Sequence, residues 1–291
     1  MRRRIAALLL TAGLSGSLAG CSLGSGSAPS STPPDLSLGT IAPSVSPTAT
    51  SGGTTTAGSA GIAAELAQKA SHSTAALRSA HLTMSSVVGS TRMTMSGDVG
   101  YHPVRLDVNA TVKARIQGSS RTVRVREVLV GQTLYLKVPG LGGAKPWHSL
   151  SLSRLSQFSG IDLKSLMNSA NADPSVRMLT RAYDLKLVGV EKVGGVTTRH
   201  LSGSVDLEAV FAAMPASEQA AVATMRDALD QLGVANMRIQ LWLNRDDVPV
   251  KVVQTYRTSL GPARTTMYLT HLNEHTSISA PPRSQVERFP G

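Results

Sequence analysis

The feature that most constrains the fold is a period of two. Between His81 and Val138, and again from Leu185 onward, apolar residues recur at alternate positions in short segments closed by turn residues. Leu82, Met84, Ser86 and Val88 share one face of the first segment. Met93, Met95, Gly97, Val99 and Tyr101 share one face of the second, and Val104, Leu106, Val108, Ala110 and Val112 one face of the third. Alternate side chains of a strand point to opposite faces, so these segments read as half-buried strands. The pattern predicts strands at 81–88, 92–101, 104–112, 122–130 and 133–138, then at 185–193, 196–205, 237–243, 248–258 and 264–272. Turns at Gly89-Ser90, His102-Pro103, Gly131-Gln132 and Gly194-Gly195 are short, as an antiparallel meander requires. The last residues, 286–291, read as a tail.

Helical spacing takes over in three places. Ile62, Leu66, Ala70 and Leu77 form a stripe across 61–79. Leu163, Leu166, Met167 and Ala170 do so in the middle, where Asp173-Pro174 then reads as a cap and first helical residue. Val222, Met225, Leu229 and Leu232 line a late helix between Ser217 and Gly233. Either group of strands alone would leave an apolar face bare. The reading is therefore α+β: a single strongly curved antiparallel sheet, a half-barrel, with helices packed on its concave face.

The first residues set the destination. Met1-Arg2-Arg3-Arg4 precedes an apolar run from Ile5 to Leu14, and the segment closes on Leu18-Ala19-Gly20-Cys21. Basic, apolar and then small residues is the layout of a secretory signal. The run is shorter than the roughly twenty residues a spanning helix needs. The ending resembles a bacterial lipobox, whose cysteine takes a diacylglyceryl group on its sulfur and becomes the first mature residue. The expected organisation is a lipoprotein signal peptide over 1–20, a lipidated Cys21 leading a Ser/Thr/Gly/Pro-rich tether over 21–60, and one lipid-binding-type domain over 61–291. The expected location is the extracytoplasmic face of the cell membrane. Cys21 is the only cysteine, so the folded part has no disulfide and no thiolate metal site. With aromatic residues at 3%, its core must come from aliphatic side chains and nine of the ten methionines.

A net charge of +11, three of it from Arg2, Arg3 and Arg4, favours anionic lipid or an envelope polymer as a partner. No nucleic acid is expected outside the cytoplasm. The enzymatic patterns are weak. His271-Leu272-Asn273-Glu274-His275 spells an inverted zinc-peptidase motif, but that motif needs a helix to bring both imidazoles to one face, and here it ends an alternating strand. Asp98, Asp107, Glu127 and Asp206 are carboxylates with no spacing that pairs them for glycan hydrolysis. The sequence carries no P-loop. Neither catalysis nor a cofactor or metal is expected.

Four stretches resemble the actinobacterial LppX/LprG lipoprotein family: Ser79-Ala80-His81-Leu82, Ser96-Gly97-Asp98, the strand-turn-strand from Val190 to Gly203, and Asn273 to Pro282. The resemblance implies a half-barrel closed by helices, similar to periplasmic lipoprotein carriers, with an apolar cavity for the acyl chains of a lipid or glycolipid. It implies a carrier or presenter of lipid in the envelope, held to the membrane through acylated Cys21, with a membrane transporter or envelope polymer as a further partner. The cavity-lining candidates are Leu82, Met84, Met93, Met95, Leu106, Val108, Leu134, Leu136, Leu166, Met225, Leu229, Ile239 and Leu241. Methionine suits such a lining because it adapts to chains of varied length. The Gly-rich stretch from Pro139 to Pro146 is the candidate mouth, with Trp147 and Trp242 as rim anchors or core. The alternative is a non-catalytic envelope scaffold with a filled core.

Overall fold

The computed structural model describes residues 56–289 apart from 117–118, 142, 160–173, 215–218, 220–222, 224–225 and 228. The signal, Cys21, nearly all of the tether, the predicted helix over 161–170 and the cap Ser217 lie outside the described residues.

Helix α1 (Thr56–Ala75) leads into a first meander: β1 (Ser79–Val88), β2 (Thr91–Tyr101), β3 (Val104–Ile116), β4 (Ser119–Val130), β5 (Thr133–Lys137) and β6 (Trp147–Ser151). Two helices follow, α2 (Leu152–Ser159) and α3 (Pro174–Leu179). The second meander is β7 (Lys186–Val193), β8 (Val196–Asp206), β9 (Asn236–Leu243), β10 (Pro249–Thr258) and β11 (Gly261–Thr270), with α4 (Leu207–Ala212) after β8 and a strand of three residues, β12 (Val286–Arg288), at the end. Asp206 caps α4 by accepting from the amides of Glu208 and Ala209. All twelve strands form one sheet in the order β12-β6-β5-β4-β3-β2-β1-β11-β10-β9-β8-β7. The two meanders join where β1 pairs antiparallel with β11. The terminal strands of that order, β12 and β7, do not pair with each other, so the sheet is open.

Register decides which residues share a face, because directly opposed residues point the same way. Leu241, Val252, Met267, Met84, Met95, Ala110 and Val125 form one continuous row across seven strands. Gly97 belongs to the next row, and a Cβ there would lie 2.1 Å from the carbonyl oxygen of Asp107. Only glycine lets β2 and β3 approach so closely at this point.

The helices sit on the same face as that row. Ala63, Leu66, Ala67 and Ala70 of α1, Val176 and Leu179 of α3 and Val210 and Phe211 of α4 pack with Leu201, Ile239, Leu241 and Leu243 of β8 and β9. At the other end, Leu152 and Leu155 of α2 pack on Val125, Leu129, Leu134 and Leu136.

Two strands lacked a local signal. The five residues of β6 follow Pro146 and are too short to show a period. The Val286–Arg288 segment, read as a tail, is β12, a parallel pairing of Val286, Glu287 and Arg288 with Trp147, His148 and Ser149.

Candidate functional site

The inner wall of the sheet is the candidate site, and register builds it. Met84 opposes Met95, Leu82 opposes Gly97, and Met93 opposes Val112. Gly97 opposes Val108, which opposes Glu127, which opposes Leu136. Leu106 opposes Leu129, and Leu129 opposes Leu134. Ile239 reaches the same face through Gln254, Thr265 and Ser86. Every strand residue named as a lining candidate therefore lies on one face, the face that carries the helices.

That face divides into two kinds of surface. Ile239, Leu241 and Leu229 are sealed within the helix-clad cluster and are at most 1% exposed. Met84, Met95, Val108 and Ala110 form a second cluster, in which Leu82, Met93, Leu106 and Met267 are only partly buried. Every described member of this second cluster is a strand residue. Leu134 and Leu136 are buried under α2. Leu166 and Met225 lie outside the described residues.

One polar group stands in the apolar wall. Glu127 is 2% exposed, between Val108 and Leu136, and burial alone pushes its carboxyl up to about 7. A carboxylate in a low-dielectric wall is disfavoured, so near neutrality the group holds a proton for much of the time. It can then both donate and accept a hydrogen bond. The period-two pattern pointed to this site, since Glu127 falls in phase with Val125 and Leu129, but its charge argued against burial.

The stretch 139–146, the candidate mouth, is tied down by the chain's end. The amide of Ala144 donates to Glu287 Oε2 at 3.2 Å, and Glu287 Oε1 lies 3.3 Å from Nδ1 of the buried His148. Gly143 has φ +113°, and a Cβ there would come within 1.7 Å of Glu287 Oε1. Phe289 sets its ring edge-on to His148. β12 thus closes the loop against β6.

The other face carries the tryptophans. Trp147 is buried with Val128 and Ile278, with Arg126 and Lys137 about the ring. Trp242 stacks on His200 at 4.1 Å, takes Lys251 Nζ on its ring at 4.0 Å and donates its indole N–H to Glu191 at 2.6 Å. Both are packed elements of the outer face. Burial lowers the His200 imidazole, against the pull of Glu191.

The enzymatic patterns resolve into turns and surface pairs. His271 and Asn273 have positive φ, +50° and +62°, so the H-x-x-E-H stretch is a turn. Its Asn273 ties β11 to the start of β1, donating its amide to Ser79 and accepting from the amide of Arg78 through Oδ1. Asp98 and Asp107 are directly opposed on the outer face, but each has a basic partner: His81 at 2.7 Å and Arg126 at 2.8 Å. Among the described residues no three His, Asp or Glu side chains gather as a metal site, and no described helix is long and apolar enough to cross a membrane.

Comparison with known proteins gives this wall a context. The chain is similar to an uncharacterized 31.2 kDa protein of Streptomyces griseus encoded between rplA and rplJ, 24% identical over 150 residues. The match spans about half of each chain, 50% of this one and 49% of that one. The crystal structure of LprF from Mycobacterium bovis shares the fold with a TM-score of 0.52 at 15% identity, covering 77% of this chain and 98% of that one. The lipoprotein LppX of Mycobacterium tuberculosis matches at a TM-score of 0.44 and 13% identity, over 75% of this chain and 99% of that one. The family model described as LppX_LprAFG lipoprotein matches residues 62–253, from α1 to the middle of β10. The chain belongs to the LppX_LprAFG lipoprotein family.

Proposed function

We propose that this protein holds the acyl chains of a lipid or glycolipid against the methionine-rich inner wall of β1–β3 and carries or presents that lipid in the cell envelope. The observation that carries the reading is the second cluster. Met84 and Met95 lie beside the half-buried Leu82, Met93, Leu106 and Met267, with no helix residue among the described members. The family is generally lipid-binding, which supports the same reading.

The energetics suit exchange with a bilayer. An acyl chain moving from membrane to apolar wall stays dry throughout, so the net cost is small. Against water the wall is favoured by about 0.8 kcal/mol per buried CH₂. Methionine side chains bend to chains of different length. Glu127, which holds a proton for much of the time near neutrality, supplies one hydrogen-bonding group in that wall, suited to an ester carbonyl or a sugar hydroxyl. The protein binds and does not catalyse. It sits at the outer face of the cell membrane, held through acylated Cys21, and hands its cargo to a membrane transporter or an envelope polymer.

The test is native mass spectrometry with lipid extraction on the full chain carrying Cys21→Ser, secreted by an envelope-bearing bacterium. A stoichiometric adduct that extracts as a diacyl or larger lipid, and that is lost in Met93→Ser/Met95→Ser, is expected. A clean apo mass with no uptake from added envelope lipids would sink the proposal.

A further inference from the structure

The outer face holds a second feature, which the lipid reading does not use. A groove of about 980 Å³ opens where β9, β10, β11 and β1 run side by side. Its lining includes Ser85, Thr255, Arg257, Arg264 and Thr266. Register sets Ser85, Thr255, Arg264 and Thr266 on the face opposite Met84 and Met267, because they alternate with those inner residues along their strands or oppose ones that do. The arginines and hydroxyls of the groove and the methionine wall are therefore on opposite faces of one sheet, while Tyr256 and Ala263 of the lining belong to the inner face.

A row of cations runs past this groove. Arg238, Thr255, Arg264, Val87, Arg92 and Lys113 oppose one another in a single row across six strands, which places four cations and no carboxylate in line. Two acids near the row have partners of their own. Asp206 caps α4, and Asp184 accepts from both the amide and the hydroxyl of Ser204, where it also attracts Arg238. Arg257 and Arg264 are exposed, and among the described residues neither forms an ion pair. Their neighbours in the lining are hydroxyls, the Asn236 amide and apolar groups, so no carboxylate in the lining competes for their guanidinium forks.

We propose that this groove is an anion site for a phosphate-bearing ligand, with Arg257 and Arg264 as its two phosphate-binding residues. Guanidinium is the side chain best matched to a phosphate, because its planar fork donates two parallel hydrogen bonds and stays charged. The hydroxyls of Ser85, Thr255 and Thr266 offer further donors to a polyol. The volume exceeds what an inorganic anion fills, and it suits a phosphate on a larger group such as a phospholipid head or a phosphorylated sugar. Arg92 and Lys113 extend the positive row beyond the groove, so an extended anionic surface would be steered to it. The site stands on a different face and different residues from the lipid wall, so either can fail alone.

Calorimetric titration of the full chain with Cys21→Ser tests this with glycerol phosphate, and flotation tests it with phosphatidylcholine vesicles with and without phosphatidylglycerol. The comparison variants are Arg257→Gln/Arg264→Gln and, as a matched loss of charge far from the groove, Arg245→Gln/Lys192→Gln. Saturable binding at low salt that the first pair weakens at least tenfold and the second leaves intact is expected. Binding of both glycerol phosphate and anionic vesicles assigns the site to a lipid headgroup. Binding of glycerol phosphate alone assigns it to a soluble phosphorylated ligand. No saturable binding of either probe, or equal weakening by both pairs of substitutions, overturns the proposal, since equal weakening marks diffuse surface charge.

Discussion

The half of the sheet from β8 to β10 and its centre from β1 to β3 share one face and one register, yet they are finished differently. Over β8 and β9, side chains from α1, α3 and α4 close on Leu201, Ile239, Leu241 and Leu243, all of which are fully excluded from solvent. Over β1 to β3, Met84, Met95, Val108 and Ala110 are buried too, but Leu82, Met93 and Leu106 beside them are only half-buried, in a cluster whose described members are all strand residues. The lesson is that a period of two reports which face turns inward and is silent about what covers it. The covered half behaves as a core, which loses stability when a side chain is trimmed. Under the lipid reading proposed above, the methionine half receives a guest, and the same change there should cost binding instead.

The largest expected effect comes from trimming the covered half. Leu241→Ala should lower unfolding stability by about 2–5 kcal/mol, read from denaturant titration, because the packed helices cannot collapse into the space. A loss below about 1 kcal/mol would mean that this half also has room to spare. Glu127→Gln comes next. The native carboxyl holds its proton up to about 7, while the unfolded one releases it near 4.5. Native protein therefore binds more protons between those values, and stability falls as pH rises through that window, then levels off above it. The substitution should flatten this slope and raise stability at pH 8 by up to about 3 kcal/mol. An unchanged pH profile of Tm would remove Glu127 from the wall.

Gly143→Ala should cost about 1 kcal/mol or more, since its φ of +113° strains any side chain and the new Cβ displaces Glu287. Faster hydrogen exchange at residues 143–149 would report the release of the loop, and unchanged exchange there would show that β12 does not hold it. Smallest of all, Met93→Leu should change stability by less than about 1.5 kcal/mol, because volume is kept. Its effect belongs in the chain-length preference of bound lipid, measured by mass spectrometry of extracts. If it unfolds the protein as Leu241→Ala does, the distinction between the two halves is wrong.

Much of the fold was legible because strand signals are local. Ten strands follow from alternation, and the boundaries found differ mainly at their ends. β3 runs on to Ile116 and β4 begins at Ser119, so this hairpin is longer than its apolar part requires. α1 ends at Ala75 instead of continuing to Ser79, because Ser79 is already paired into β1 and accepts the Asn273 amide. Of the missed strands, β6 pairs with β5 nearby but is too short to show a period, and β12 pairs with β6 across about 140 residues, which no local period can announce. The same holds for the loop at 139–146. Its glycines suggested freedom, while Glu287, far along the chain, ties it shut. Trp147 and Trp242, which composition left between rim and core, are packed on the outer face by cations and a histidine that only register brings to them.

By itself the sequence determined the alternation of faces, the antiparallel meanders, the helix stripes and the resemblance to a lipoprotein family, since each depends on residues within a few positions of one another. The tertiary structure alone decided that helices seal the inner face over β8 and β9, that Glu127 is buried among apolar neighbours, and that four cations from separate strands form one row beside a groove. The physical reason is that burial and electrostatic environment are properties of neighbours in space. In a twelve-stranded sheet whose two halves meet through β1 and β11, those neighbours are set by register between strands up to about 190 residues apart.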